Sequence, residues 1–160
     1  METDIPLTLE DKATNDETWK HIDNVMKLMM TIQTKIGDRM LSHDRSKLES
    51  PEVQYFREYT PQLKTLTFGS SEYNQCLASM KPALDHHYAN NRHHPEFFKN
   101  GINDMTLVDL IEMLCDWYAS SKRQYNGNIR LSIEKNRERF NMSDQLIRIF
   151  ENTIKELDAK

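Results

Sequence analysis

Between Ile22 and Met40 apolar side chains return every third or fourth residue: Ile22, Val25, Met26, Met29, Ile32, Ile36 and Met40. That spacing gathers them on one face of an α-helix and would scatter them over both faces of a strand. Just upstream, Thr14-Asn15-Asp16-Glu17 sets a cap residue three positions before a glutamate, the pattern of a helix start. A long helix is therefore predicted from about Thr14 to about Met40. Residues 1–13 lack periodicity and are predicted to form an irregular arm, leaving 14–160 as one domain.

The same period continues along the chain. Ser50-Pro51-Glu52 starts a short helix through Val53, Phe56 and Tyr59, which Pro61 is expected to end. Ser70-Ser71-Glu72 starts another, with Tyr73, Cys76, Leu77, Met80, Leu84 and Tyr88 inward and Pro82 kinking or dividing it. Thr106-x-x-Asp109 caps a helix reaching about Arg123. Its apolar face carries Leu107, Leu110, Ile111, Leu114 and Tyr118, opposite Asp109, Glu112, Asp116 and Arg123. A segment through Ile129, Ile133 and Phe140 follows Gly127, and Ser143 starts a last helix through Leu146, Ile147, Phe150, Ile154 and Leu157. No strand pattern or repeat interrupts this, so the expected fold is all-α, a single bundle of five to seven helices.

Composition removes several function classes. A formal charge of −4 with scattered cations gives no basic patch for long nucleic acid or a membrane surface. Only four glycines occur, and no glycine-rich phosphate loop can be drawn from them. Cys76 and Cys115 make no disulfide framework, and no apolar run is long enough to span a bilayer. The acidic start lacks an apolar leader, and a cytoplasmic location is expected, the host cytoplasm for a phage-encoded chain.

The chemistry is concentrated in histidines and acids. Four of the six histidines, His86, His87, His93 and His94, fall within nine residues; the others are His21 and His43, the latter followed by Asp44. Imidazoles and carboxylates together are ligands for divalent metals of intermediate hardness. His21 flanks an apolar stripe, where an ordinary boundary histidine is the commoner role. Consecutive helical positions diverge by about 100°, so His43 and Asp44 can meet at one metal only at a helix end or in a turn. By the same geometry only one of His86 and His87 is expected to be a ligand, while His93-His94-Pro95 must be a loop. Asp109, Glu112 and Asp116 form either a solvated helix face or a ligand stripe. Lys47, four residues past His43, is either a solvated lysine or a phosphate-binding cation.

In this order, His21, then His43-Asp44, then His86/His87, His93/His94 and a later helical aspartate, the chain resembles the HD-domain metal-dependent phosphohydrolases. More closely, His-Asp-x-Ser-Lys at 43–47, Asn-Arg-His-His-Pro-Glu at 91–96 and Asp-Leu-Ile-Glu-Met-Leu-Cys-Asp-Trp at 109–117 resemble a phage and bacterial family known only as a domain of unknown function. The HD resemblance implies an HD-like helical domain with one or two divalent ions, among which Mn, Fe, Co, Zn and Mg are not distinguished. It implies a first metal on His21, His43 and Asp44 with Asp116 or Asp109, and Asp44 as a bridge to a second metal. His86 or His87 with His93 or His94 would complete that second site. The chain departs from the pattern where several HD enzymes carry an acid after His-Asp: here stands Arg45-Ser46-Lys47. A general base must then be Glu112, Glu96 or a metal-bound hydroxide.

The expected activity is metal-dependent hydrolysis of a small phosphoester, a nucleotide, with Asp44, Lys47 and Glu112 catalytic. Lys47 and Arg39, Arg92 or Arg123 would neutralise its phosphate, and Tyr88 or Trp117 is a candidate to stack on a base. A homo-oligomer is compatible with this reading. The rival readings are a catalytically degenerate HD fold that sequesters a nucleotide signal or a host protein, and a structural metal site in an interaction protein.

Overall fold

The computed structural model describes residues 8–67, 69–123 and 127–159. Among them are seven α-helices and three short 3₁₀ turns, with no strand, so the chain is all-α as its periodicity predicts. The helices are α1 Leu9–Ser42, α2 Glu52–Thr65, α3 Ser71–Ser79, α4 Lys81–Asn90, α5 Leu107–Arg123, α6 Ile129–Phe140 and α7 Asp144–Asp158. The chain divides into two compact units, Met1–Leu41 and Ser42–Lys160.

The first unit is essentially α1. It begins at Leu9 rather than near Thr14, because Thr8 and Asp11 form a reciprocal cap: the Thr8 backbone N–H and hydroxyl donate to the Asp11 carboxylate, and the Asp11 N–H donates to Thr8 Oγ1. The part of the predicted arm that is described, from Leu9, is thus helical; residues 1–7 lie outside the described residues. At 34 residues, α1 is about 50 Å long. None of its residues is buried.

The second unit holds the core. Met113 and Leu114 of α5, Ile129 and Ile133 of α6, and Ile147, Phe150 and Ile154 of α7 form one buried cluster, with Met142 from the turn between α6 and α7. Trp117 closes its edge, stacked on Phe140 at 6.3 Å and edge-on to Phe150 at 6.2 Å. That packing accounts for Trp117 as a core residue. α6 and α7 are delimited by side-chain caps: Asn128 accepts from the backbone N–H groups of Arg130 and Leu131, and Ser143 from that of Leu146.

A second group, α2, α3 and α4, packs together and onto the 3₁₀ turn Arg45–Leu48. Pro61 does not end α2, which continues to Thr65. A proline there forfeits one backbone hydrogen bond, and the helix is solvent-facing at that position. Pro82 does divide its helix, as one of the two expected outcomes: α3 stops at Ser79, and α4 begins at Lys81 with the proline in its first turn.

The helix α5 reverses the simple picture of an apolar inner and acidic outer face. Leu107 is 74 % exposed and Ile111 41 %, whereas Asp109 is fully buried and the Glu112 and Asp116 side chains are only 10 % and 16 % exposed. Glu112 and Asp116 turn toward the histidines, and Asp109 toward Arg92 and Thr106.

Candidate metal centre

Three segments of the second unit supply the site: the turn after α1, the end of α4 with its following loop, and the acidic face of α5. Asp44 is the first decisive residue. It adopts the left-handed conformation, with φ 57° and ψ 12°, a region where aspartate is tolerated better than most residues. This breaks the helical progression right after His43, so two consecutive side chains that would diverge on a helix approach one another: His43 Nε2 lies 3.5 Å from Asp44 Oδ2.

The loop contributes the rest. His87 and His93 are each 1 % exposed, and their Nε2 atoms lie 3.2 Å and 3.5 Å from Asp44 Oδ1. His94 packs against both, with ring centroids 4.8 Å from His87 and 4.1 Å from His93. Four buried polar atoms here, Asp44 Oδ1 and the Nε2 atoms of His87, His93 and His94, have no hydrogen-bond partner. Ligand atoms of these same four residues all lie within 4.8 Å of one another. Buried polar atoms are nearly always paired, and an unpaired buried acceptor costs roughly 1–3 kcal/mol. Four converging on one point fit a cation that they would all face.

Two carboxylates set the ring orientations from behind. Glu52, fully buried in the first turn of α2, accepts from His86 Nδ1 at 2.7 Å through one oxygen and from His87 Nδ1 at 2.9 Å through the other. A carboxylate only accepts, so the His87 proton sits on Nδ1 and its Nε2 keeps a lone pair aimed inward. Glu112 plays the same part on the other wall: its Oε1 accepts from His43 Nδ1 at 2.9 Å and lies 3.1 Å from His93 Nδ1. Such a carboxylate–histidine arrangement orients imidazoles and raises their basicity as ligands. Ser46 and Asn91 add contacts: Ser46 Oγ is 3.2 Å from His87 Nδ1, and Asn91 Nδ2 donates to Ser46 Oγ at 2.8 Å.

His43, Asp44 and Asp116 form an adjoining group, with His43 Nε2 3.7 Å from Asp116 Oδ1. Asp44 belongs to both groups, one carboxylate oxygen toward each.

The local electrostatics suit a cation. The Asp116 carboxylate 3.7 Å away, then the hydrogen bond to Glu112, raises the His43 imidazole to about 10 against the opposing effect of burial. Burial alone would raise the Asp44 and Asp116 carboxyls; instead the neighbouring histidines and Lys47 hold both below the usual carboxylate range. Burial, followed by repulsion from His93 and His87, lowers His94 to about 2, which leaves its ring neutral and able to ligate. Lys47 donates to Asp44 Oδ2 at 2.6 Å, and its Nζ lies over the Phe56 ring at 5.1 Å from the centroid.

The remaining candidates are placed as follows. His86 is turned away from the cluster, 41 % exposed and tied to Glu52. Asp109 is in none of the candidate ion-binding groups found among the described residues. It accepts a forked pair from Arg92 at 3.2 Å and 3.1 Å and caps α5 through the Thr106 N–H and hydroxyl. Arg92, tied to Asp109, also lies over Phe97 and Phe98. Glu96 pairs with Arg139 at 2.5 Å. Tyr88 packs on His94 at 4.8 Å between ring centroids. His21, exposed, and Arg39 lie on α1 in the first unit, and the ligand groups of the second unit form without them. Arg123 and Lys47 both line a cleft of ≈ 350 Å³ that opens beside Asp44. Glu52 carried no sequence signal beyond its place in a helix start; only the pairing of α2 with α4 reveals its role.

A family model described as "Family of unknown function (DUF5662)" matches residues 10–156. The chain belongs to this family. The match takes in every residue of the candidate metal centre, together with α1 from its second residue. The HD resemblance is not among the family matches. No match was found among curated proteins or among solved structures. Among the described residues no helix is long and apolar enough to cross a membrane.

Proposed function

We propose that the protein is a metal-dependent phosphohydrolase acting on a small phosphoester, a nucleotide, as the resemblance to HD-domain enzymes implies. The observation that carries this reading is the convergence of four buried, unpartnered ligand atoms from Asp44, His87, His93 and His94. His43 and Asp116 would complete a second position with the other oxygen of Asp44. A divalent ion held there would act as a Lewis acid on a phosphate oxygen and make water a nucleophile near neutral pH.

The protein's own groups would do the rest. The cleft beside Asp44 has Lys47, Lys64 and Arg123 for a phosphate and Phe56 and Tyr73 for a flat ring. Its volume, ≈ 350 Å³, falls at the small end of ligand sites. Glu112, engaged with two imidazoles, is a positioning residue before it is a base. Asp116, held below the usual carboxylate range, stays ionised and would serve as a ligand rather than as a proton carrier.

The test is elemental analysis of the purified protein, then phosphate release from a panel of nucleotides with added Mn²⁺, Co²⁺ or Fe²⁺. Bound metal with turnover of one nucleotide class is expected; a metal-free protein that takes up none of these ions would end the proposal. The stretch Arg45-Ser46-Lys47, where several HD enzymes have an acid, favours a second reading as a nucleotide binder without turnover. Saturable nucleotide binding with no phosphate released would select it.

A further inference from the structure

The helix α1 presents an apolar seam that none of its own residues covers. Ile22, Val25, Met29 and Ile32 are 37 %, 40 %, 64 % and 46 % exposed. They stand at alternating intervals of three and four, and Ile36 continues the series. That is the a/d spacing of a helix that packs lengthwise against another helix. Met26 and Leu28 flank the seam and widen it. A contiguous apolar row of this length along one helix marks an interaction surface.

Charge along α1 identifies the partner. From Leu9 to Val25 it carries Glu10, Asp11, Asp16, Glu17 and Asp23 against Lys12 and Lys20. From Met26 to Ser42 it carries Lys27, Lys35 and Arg39 against Asp38. One half is acidic and the other basic, on a single helix. A second copy laid antiparallel sets each acidic half beside a basic half and opposes the two helix dipoles favourably. A parallel copy would set like against like.

We propose that α1 pairs with α1 of a second copy of this chain as an antiparallel helix pair. Ile22 then faces the Ile32 of the second copy, and Val25 faces its Met29. The pairing is independent of the metal centre.

Sedimentation of the full chain from about 1 to about 100 μM, bracketing a micromolar dissociation constant, should show a monomer–dimer equilibrium. The double variant Val25→Asp/Met29→Asp should sediment as a monomer over this range, with circular dichroism reporting retained helix. Orientation is read separately. In a Cys115→Ser background, Ile22→Cys and Ile32→Cys chains are mixed and oxidised; antiparallel pairing yields the mixed disulfide in preference to either symmetric one. A wild-type monomer at the highest concentration would overturn the proposal, and would mean that the seam is covered within one chain. A dimer that survives the double variant, or symmetric disulfides alone, would overturn it equally. Should the aspartate variants fail to fold, the wild-type mass and the cross-linking pattern still decide.

Discussion

Glu52→Ala should loosen the centre without removing a ligand. Glu52 is fully buried and accepts from two imidazoles. Its loss has unequal consequences for them. His86 is 41 % exposed and can turn its Nδ1–H to water. His87 is 1 % exposed and cannot. A buried donor left unsatisfied costs about 1–3 kcal/mol, and the space vacated by the side chain adds to this. Asn91 Nδ2 is 3.0 Å from His87 Nδ1, so rotation of that amide can present its oxygen and recover part of the loss. A net destabilisation of about 2–3 kcal/mol follows, or roughly 5–10 °C in Tm for a chain of this size. Freed of its anchor, His87 can also move its proton to Nε2 and lose the inward lone pair. Metal affinity should therefore fall about 10- to 100-fold. Glu52→Gln should be milder on both counts. Its carbonyl can keep His87, while its amide faces the exposed His86, which can change tautomer freely. The measurements are thermal unfolding followed by circular dichroism and a metal titration on the same preparations. Unchanged Tm and affinity in Glu52→Ala, or a glutamine variant worse than alanine, would refute the orienting role.

Asp109→Ala should lower stability by about 2–4 kcal/mol, since it removes a cap and a buried half of an ion pair, yet leave metal content unchanged; loss of metal would make Asp109 a ligand. Its carboxyl is held below the ordinary range, against burial, by Arg92 and Thr106. Its contribution is therefore complete above the unfolded value of about 3.9 and is lost as pH falls through the folded one, so acid unfolding should flatten in the variant. Asp44→Ala should abolish phosphate release and leave a folded helical protein, while Lys47→Ala should retain metal and weaken substrate binding by about 1.5–3 kcal/mol, the scale of a charged hydrogen bond. Wild-type turnover in Asp44→Ala would contradict the hydrolase reading. His87→Ala should empty the four-residue group and His86→Ala should not, which elemental analysis of the two proteins would decide.

Much of the architecture was legible in one dimension because helices are governed by near neighbours. The period of three and four, the Ser143 cap and the break at Pro82 are all local, and the helices follow from them. Failures were local too. The Thr8–Asp11 cap starts α1 upstream of the Thr14 signal, and at an exposed position the single hydrogen bond that Pro61 removes does not end α2.

For the site, the sequence by itself determined the kinds of candidate ligand and the segments that carry them. His43-Asp44, the histidine loop and the α5 acids are the groups that meet. What it left open was direction. Tertiary packing selects His87 over His86, admits both His93 and His94, and turns Asp116 inward while Arg92 and Thr106 claim Asp109. It also supplies Glu52, 35 positions from His87, and Glu112, 69 positions from His43. The reason is geometric. Backbone period says which face a side chain shares, but the ring nitrogen that ends up bare depends on which distant carboxylate the folded chain brings behind it.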